Sequence, residues 1–447
     1  MADSEKKRLA AGASRDLIFS ILALVIYNGV LQLLIYPGLN ARMGAEAFGT
    51  VLYFISVISI MGAGFGTAAS YSRMVAKKNR SQANGDYNVF LLMVAGVSLV
   101  VTAVALVKLG GFGTESVEPE ALSGITTGSM PAPTTFLPVY ILMVVTVVRY
   151  YADVEYRMTI RFVDYCVFFG VVSLGYVVGL GVIDILGRKA AGDTGTVVGT
   201  TYSSDIRGTY CWWIVLLIGE LCGILYTVIR GSIFRPPFAA LSESFRENLK
   251  SCWIISASNL LSALILNSDR ILIRLMVGAK EVTVFYTASL IGKIVAMLTT
   301  PLNGVIISYF TNYKIKLEKR TFGLIAAGLV VLSVIGAGLC TAVSMLFVKL
   351  MYPDVFEASR QFFFLANLGQ ILYFISGSLM VIVLSFTGEK LQLKINVIYV
   401  TLFAILVIPM TYVMGMQGLA VGLVIVNALR LIITAIFGMR GLERSRE

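Results

Sequence analysis

Residues 266–286, "LNSDRILIRLMVGAKEVTVFY", decide how this chain is read. Asp269, Arg270 and Arg274 interrupt a run that otherwise has the composition of a membrane-spanning helix. A charge at the centre of such a helix costs about 2.5–3.5 kcal/mol on insertion scales, so charges kept there need a reason. Lys293 repeats the pattern one apolar block later. On a helix, Asn259, Asn267, Arg270 and Arg274 share one face with Ser256, while Leu261, Leu264, Ile265, Ile271 and Leu275 fall largely elsewhere. A polar stripe of this kind faces a water-filled cavity or another helix, not lipid. Arg270 and Arg274, one turn apart, could grip one anion. Asp269 is displaced from them by about 100° and could orient Arg270 or pair with a neighbouring helix. The plainer reading is that the two arginines snorkel to headgroups from the outer part of the helix.

The rest of the chain has the same character. Its 447 residues are 57% hydrophobic and 14% charged, with a mean hydropathy of +0.84. That is too little charge to clothe a soluble chain of this size. The apolar residues form about twelve blocks, each close to one bilayer crossing in helical length. They run at about 17–36, 48–72, 88–109, 135–153, 163–186, 210–229, 253–275, 284–311, 322–348, 361–386, 395–414 and 417–437. They lack the period-two alternation of an outer-membrane barrel. The expected fold is an all-α polytopic membrane protein with twelve transmembrane helices. The polar start "MADSEKKRLAAGASRD" followed by a block of nearly spanning length reads as the lead into a first helix, not as a removed signal peptide.

The formal net charge is +11. In a membrane protein this excess belongs to cytoplasmic loops against anionic lipid, and nucleic acid is not an expected partner. With the N-terminus inside, the inner segments hold about 24 Lys and Arg and the outer ones about 6. The inner set includes "RMVAKKNR" (73–80), "RPPFAALSESFRENLK" (235–250), "YKIKLEKR" (313–320) and the tail "RGLERSRE". The outer loop 110–134 has no Lys or Arg but carries Glu115, Glu118 and Glu120. Both termini are therefore expected in the cytoplasm.

Two stretches resemble each other: "GAEAFGTVLYF" (44–54) after the first block and "GAKEVTVFYTA" (278–288) after the seventh. Each precedes one helix and then a basic loop. With equal numbers of blocks on either side, this predicts two six-helix bundles, 1–229 and 253–447. A linker at 230–252 joins them. Within it Phe238, Leu241, Phe245 and Leu249 recur near helical spacing, as in an amphipathic surface helix.

Other polar residues inside blocks are candidates for the same site. Lys293 and Glu220 lie near the midplane; Lys293 either faces a cavity or pairs with Glu220 across the bundles. Asn28 and Gln32 share one face of the first helix and either line the cavity or bond between helices. Lys108 and Lys349 sit near outer helix ends and can snorkel, and Arg430 is open between the two roles. No catalytic motif emerges: the chain has no P-loop, GxSxG or HExxH. The pair Asp153 and Glu155 alone is too common a pattern to define a metal site. There are no histidines, and the five cysteines are scattered without CxxC spacing, so no metal and no cofactor is expected.

Residues 259–311, "NLLSALILNSDRILIRLMVGAKEVTVFYTASLIGKIVAMLTTPLNGVIISYFT", with the twelve-block topology, resemble the polysaccharide-biosynthesis flippases of the multidrug/oligosaccharidyl-lipid/polysaccharide exporter superfamily. Asp269-Arg270, Gly278, Tyr286 and Pro301 carry the motif. The resemblance implies two bundles around a central cavity that opens alternately to each side. It implies a flippase, not an enzyme, that moves undecaprenyl-diphosphate-linked oligosaccharide across the cytoplasmic membrane, with other polysaccharide-assembly proteins as candidate partners. Arginines of such cavities are thought to hold the diphosphate or acidic sugars. Two alternatives stand beside it: a cation-coupled multidrug or small-molecule antiporter of the same superfamily, and an embedded enzyme or partner of polysaccharide synthesis. The drug-exporting branch usually carries acidic residues in the first or seventh helix, whereas the polar face here is basic. The lipid II flippase branch usually has extra helices, and this chain shows only twelve blocks.

Overall fold

The computed structural model describes residues 2–78, 84–111, 132–192, 211–231, 240–297, 303, 318–384, 387 and 389–444. Among them every regular element is helical. Helix α1 (Ala2–Val30) runs through a π turn (Leu31–Ile35) into α2 (Tyr36–Met61), and through a second π turn (Gly62–Gly66) into α3 (Thr67–Lys78). Then follow α4 (Asn84–Gly111), α5 (Ala132–Met158), α6 (Phe162–Gly192), α7 (Trp212–Arg230), α8 (Phe245–Met276) and α9 (Ala279–Met297). The chain ends with α10 (Lys319–Met351), a short α11 (Phe356–Arg360), α12 (Phe363–Leu384), α13 (Glu389–Leu402), a third π turn (Phe403–Val407) and α14 (Ile408–Arg444).

Among the described residues nine helical runs are long and apolar enough to cross a bilayer. Two of these, Arg15–Arg73 and Lys394–Leu442, are of double length at 59 and 49 residues. Each is broken by a glycine at positive φ: Gly44 at φ 79°, ψ 165° and Gly415 at φ 58°, ψ −136°. A Cβ is not tolerated in this backbone, so the glycine turns one long helix into two crossings. Counting these two twice gives eleven such crossings among the described residues, and α9, which carries Lys280, Glu281 and Lys293, stands in the place of the expected twelfth. Leu92, Val107, Leu346 and Val413 are exposed at 72, 71, 75 and 79%, a surface suited to hydrocarbon rather than water.

The chain divides into two compact units. The first comprises residues 1–43 and 51–268, the second residues 44–50 and 269–447. In the first unit α6 and α7 meet through small residues. A methyl at Gly175 or Gly179 would press on the backbone of Gly219 or Val215, and one at Gly219 or Gly223 would run into Tyr176 or Val172. Two glycine pairs at four-residue spacing therefore let the backbones touch, the usual way spanning helices associate where lipid removes the hydrophobic drive.

The helix ends that the charge pattern assigns to the cytoplasm are tied together in this unit. Arg73 Nη1 pairs with Glu155 Oε2 at 2.9 Å, and Arg161 Nε with Asp164 Oδ2 at 2.6 Å. Asp86 accepts from the Ser242 backbone N–H at 2.9 Å, from its hydroxyl, and from Asn248 Nδ2 at 2.8 Å. Asp86 thus fixes the lead into α8. The expected amphipathic surface helix is described only from residue 240 onward. There Phe245 and Leu249 belong to the first turns of the spanning helix α8 itself. Phe238, Pro301 and most of the loops 110–134 and 313–320 lie outside the described residues.

The second unit is built on α9, α10, α12 and α14. Phe322, Ala337, Leu379 and Val383 are fully buried in its core. Side-chain bonds stitch the helices: Asn367 Oδ1 accepts from the Gly292 N–H at 2.7 Å, and Thr287 and Ser359 hydroxyls meet at 2.8 Å. The two similar stretches noted above meet within this unit. Thr283 Oγ1 donates to the Ala45 carbonyl at 2.6 Å, while Gly49 lies so close to the Ala279 carbonyl that a methyl could not fit. The contact is reciprocal, since Ala45 and Ala279 are matched positions and Gly49 adjoins Thr50, the match of Thr283.

Candidate functional site

Helix α8 carries the polar stripe singled out in the sequence. Trp253, Ile254, Leu261, Leu264 and Leu266 are its exposed apolar side chains. Ser256 is buried, and Asn259, Asn267, Arg270 and Arg274 are half-buried. The division between the compact units falls inside α8, so Asn259 and Asn267 count with the first and Asp269, Arg270 and Arg274 with the second. Asn267 Nδ2 donates one turn back to the Ala263 carbonyl at 2.9 Å.

The second unit gathers four of the sequence-predicted residues. At the end of α8 the N–H groups of Val277 and Gly278 both donate to the Ile273 carbonyl, at 2.8 and 2.9 Å. This closes a tight turn between α8 and α9. Asp269 therefore meets Lys293, and the two form a buried ion pair through Oδ2 and Nζ; they are 2% and 8% exposed. Of the two roles read for Asp269, pairing with a neighbouring helix is the one observed. The Arg270 guanidinium lies over the Tyr286 ring, 4.8 Å from its centroid, in a cation–π contact. Tyr286 is fully buried and edge-on to Phe48. Arg274 follows one turn beyond Arg270 on the same half-buried face.

Glu220 is not the partner of Lys293. It is buried in the first unit, where Arg149 Nε donates to Oε2 at 2.6 Å and the Tyr176 hydroxyl to Oε1 at 2.8 Å. Lys293 has a nearer carboxylate, Asp269, on the helix it folds against, and Glu220 has a guanidinium on α5. Arg149 is 2% exposed, donates from Nη2 to the Tyr27 hydroxyl at 3.1 Å, and lies 4.1 Å from the Tyr150 ring centroid. Asp153 stands 4.0 Å away from its Nη1. Glu155 goes instead to Arg73, so the acidic pair Asp153 and Glu155 is split between two cations. Around Arg149 and Glu220 lies a cavity of about 40 Å³, also lined by Tyr27, Thr146, Tyr150 and Tyr176. At about 10–15 Å³ per water it has room for about three or four.

Asn28 and Gln32 bond locally in the described contacts: Asn28 Nδ2 to the Leu24 carbonyl at 2.9 Å, and Gln32 Nε2 to Asn28 Oδ1 at 3.3 Å. Gln32 sits in the first π turn. Sequence reading missed Arg149, Tyr27 and Tyr176. Arg149 lies near the inner edge of its block and was counted with the cytoplasmic cations. The signal that would have found it is a complementary pair inside two apolar blocks of one bundle, Arg149 and Glu220.

No family model and no curated protein sequence matches the chain. Its fold is similar to that of an inward-facing multidrug resistance MATE family transporter of the MOP superfamily, with a TM-score of 0.63, 12% identity and 95% of each chain covered. It is similar to a mutant form of the Vibrio cholerae MATE transporter VcmN, at a TM-score of 0.60 and 12% identity over 99% of this chain and 98% of that one. It is also similar to a MOP superfamily transporter from Pyrococcus furiosus for which a reverse polarity of the binding pocket suggests a different function. There the TM-score is 0.52 and the identity 14%, over 97% and 96% of the two chains. At such identities the likeness is one of fold.

Proposed function

We propose that this chain is a membrane transporter of the MOP superfamily and, within it, a flippase for diphosphate-linked lipid oligosaccharides. It would act in the cytoplasmic membrane by alternating access, with both termini inside. The observation that carries the reading is the basic sign of the half-buried polar face of α8. Among the described residues, the buried carboxylates Glu155, Glu220 and Asp269 each have a cation within 2.9 Å or less, Asp153 lies beside Arg149, and Asp86 is filled by N–H and O–H donors. The carboxylates inside the helices are thus already matched. The polar face of α8 carries Arg270 and Arg274, two guanidinium groups one turn apart and a surface suited to a diphosphate.

A cation-coupled exporter needs the opposite: a carboxylate available to a proton or Na⁺ during the cycle. That second reading keeps its support from the fold, since similar structures are multidrug transporters. The reversed pocket polarity of the Pyrococcus furiosus protein is a precedent for a different substrate on this fold. Expression in a strain lacking its own oligosaccharide flippase tests the proposal. Restored surface polysaccharide that depends on Arg270 supports it. Absent restoration, with energy-dependent efflux of cationic drugs, would favour the antiporter.

A further inference from the structure

Arg430 of α14 belongs to the second unit and is apart from the α8–α9 residues above. Its guanidinium carbon lies 4.9 Å from the Tyr373 ring centroid on α12 and 4.7 Å from the Tyr399 centroid on α13. The two centroids are 6.1 Å apart. These three distances place both rings on one side of the guanidinium, as a two-walled shelf and not a sandwich. The shelf is held in place. The Tyr399 hydroxyl donates to Asn427 Oδ1 at 2.9 Å, and Asn427 Nδ2 donates to the Gly369 carbonyl at 2.9 Å. Arg430 Nε and Nη1 are buried without a hydrogen-bond partner among the described residues. The side chain as a whole is half-buried.

The other buried cations differ. Arg149 has Glu220 and Lys293 has Asp269. For Arg430, the two ring contacts offset only part of the cost of withdrawing its guanidinium from water. Donors buried without acceptors add to that cost. A guanidinium positioned by two rings on one side, with Nε and Nη1 lacking acceptors and no carboxylate paired with it among the described residues, is the arrangement that recognises a planar or tetrahedral oxyanion.

We infer that Arg430, shelved on Tyr373 and Tyr399, is a binding site for a phosphate-type oxyanion. The inference goes beyond the flippase reading and is read by binding, not transport, so either can fail alone. The test uses the full chain in nanodiscs of zwitterionic phosphatidylcholine. Arg270→Ala and Arg274→Ala are present throughout, which removes the α8 arginines as competing sites. Titration with inorganic pyrophosphate at constant ionic strength is followed by calorimetry. Saturable binding is expected, weakened by about tenfold or more in Arg430→Gln and partly kept in Arg430→Lys, which retains charge but not the fork. Loss of affinity in Tyr373→Leu would support the shelf. Adding phosphatidylglycerol distinguishes the source: competition with pyrophosphate assigns the site to a lipid phosphodiester, and its absence to a soluble or substrate phosphate. If the background protein binds no pyrophosphate while unfolding at an unchanged temperature, the inference is overturned. Equal affinity in folded Arg430→Gln overturns it as well. Should Arg430→Gln not fold, Arg430→Lys decides: unchanged binding sinks the fork, and reduced binding upholds it.

Discussion

Asp269 and Lys293 form a pair that the sequence announced only in halves. Each was conspicuous as a charge inside an apolar block, but their meeting depends on the tight turn at 277–278. That turn lets Lys293 pair with Asp269 within the second unit, while Glu220 pairs with Arg149 in the first. The observed pairing defines a test of Lys293. Removing one member of a buried pair leaves an uncompensated charge, at a cost of about 3–5 kcal/mol, whereas removing both is often tolerated. If Lys293 serves transport, Lys293→Ala and the double variant Lys293→Ala/Asp269→Ala should both lose export, although the double variant regains thermal stability. Export recovered in the double variant would return Lys293 to a structural role. Glu220 and Arg149 should behave purely as a structural couple. Glu220→Gln is expected to lower the unfolding temperature in detergent, and Arg149→Met added to it to recover part of the loss. A still lower midpoint in the double variant would contradict the pair assignment. For the site itself, Arg270→Ala should abolish export at normal membrane level and Arg270→Lys restore it only in part, because a point charge does not reproduce the bidentate fork. Normal export by Arg270→Ala would remove Arg270 from the site.

At the scale of helices the sequence was a good guide to existence and a poor one to breaks and joins. Apolar blocks long enough to span a bilayer leave little alternative to a helix, because backbone groups in hydrocarbon must be satisfied internally. The continuity of α1 through α3 was not legible, nor was the extension of α8 back to Phe245. Both depend on the polar ends of helices, where composition changes before the helix does. Contacts between helices were less legible still. The glycines of α6 and α7 carry no mark that separates close approach from tolerated space, and only packing tells Gly179 from Gly181. A methyl at Gly179 would strike the Val215 backbone, whereas Gly181 has nothing within 4 Å of the same position. Gly179→Leu should therefore destabilise the first unit by about 1–3 kcal/mol, the usual range for overpacking. Gly181→Leu should be close to neutral. Gel filtration of heated, detergent-solubilised protein measures both, and equal survival of the two variants would contradict the packed interface.

For the whole molecule, orientation rests on charge alone. About 24 inner against about 6 outer Lys and Arg set the expected topology. A single cysteine in loop 110–134, on a background without the native five, should label from outside the cell with an impermeant thiol reagent. One in 313–320 should label only after the membrane is opened. The reverse pattern would invert the molecule and reassign every inner and outer end named above. The expectation of an anionic substrate rests on a sign alone, arginines on a spanning helix, and nothing in their spacing names the glycan. The claim that unites these scales is our proposal that matched buried carboxylates and the arginine face of α8 suit this chain to carrying anionic lipid-linked sugar. The most direct measurement uses purified protein in liposomes containing a fluorescent undecaprenyl-diphosphate oligosaccharide. An impermeant quencher reports how much of the lipid reaches the outer leaflet. The account predicts that wild-type protein renders nearly all of the fluorescent lipid accessible, and that Arg270→Ala protein leaves the inner-leaflet share protected. Protection unchanged by wild-type protein, in vesicles where the same protein takes up a cationic drug against a proton or Na⁺ gradient, would contradict it.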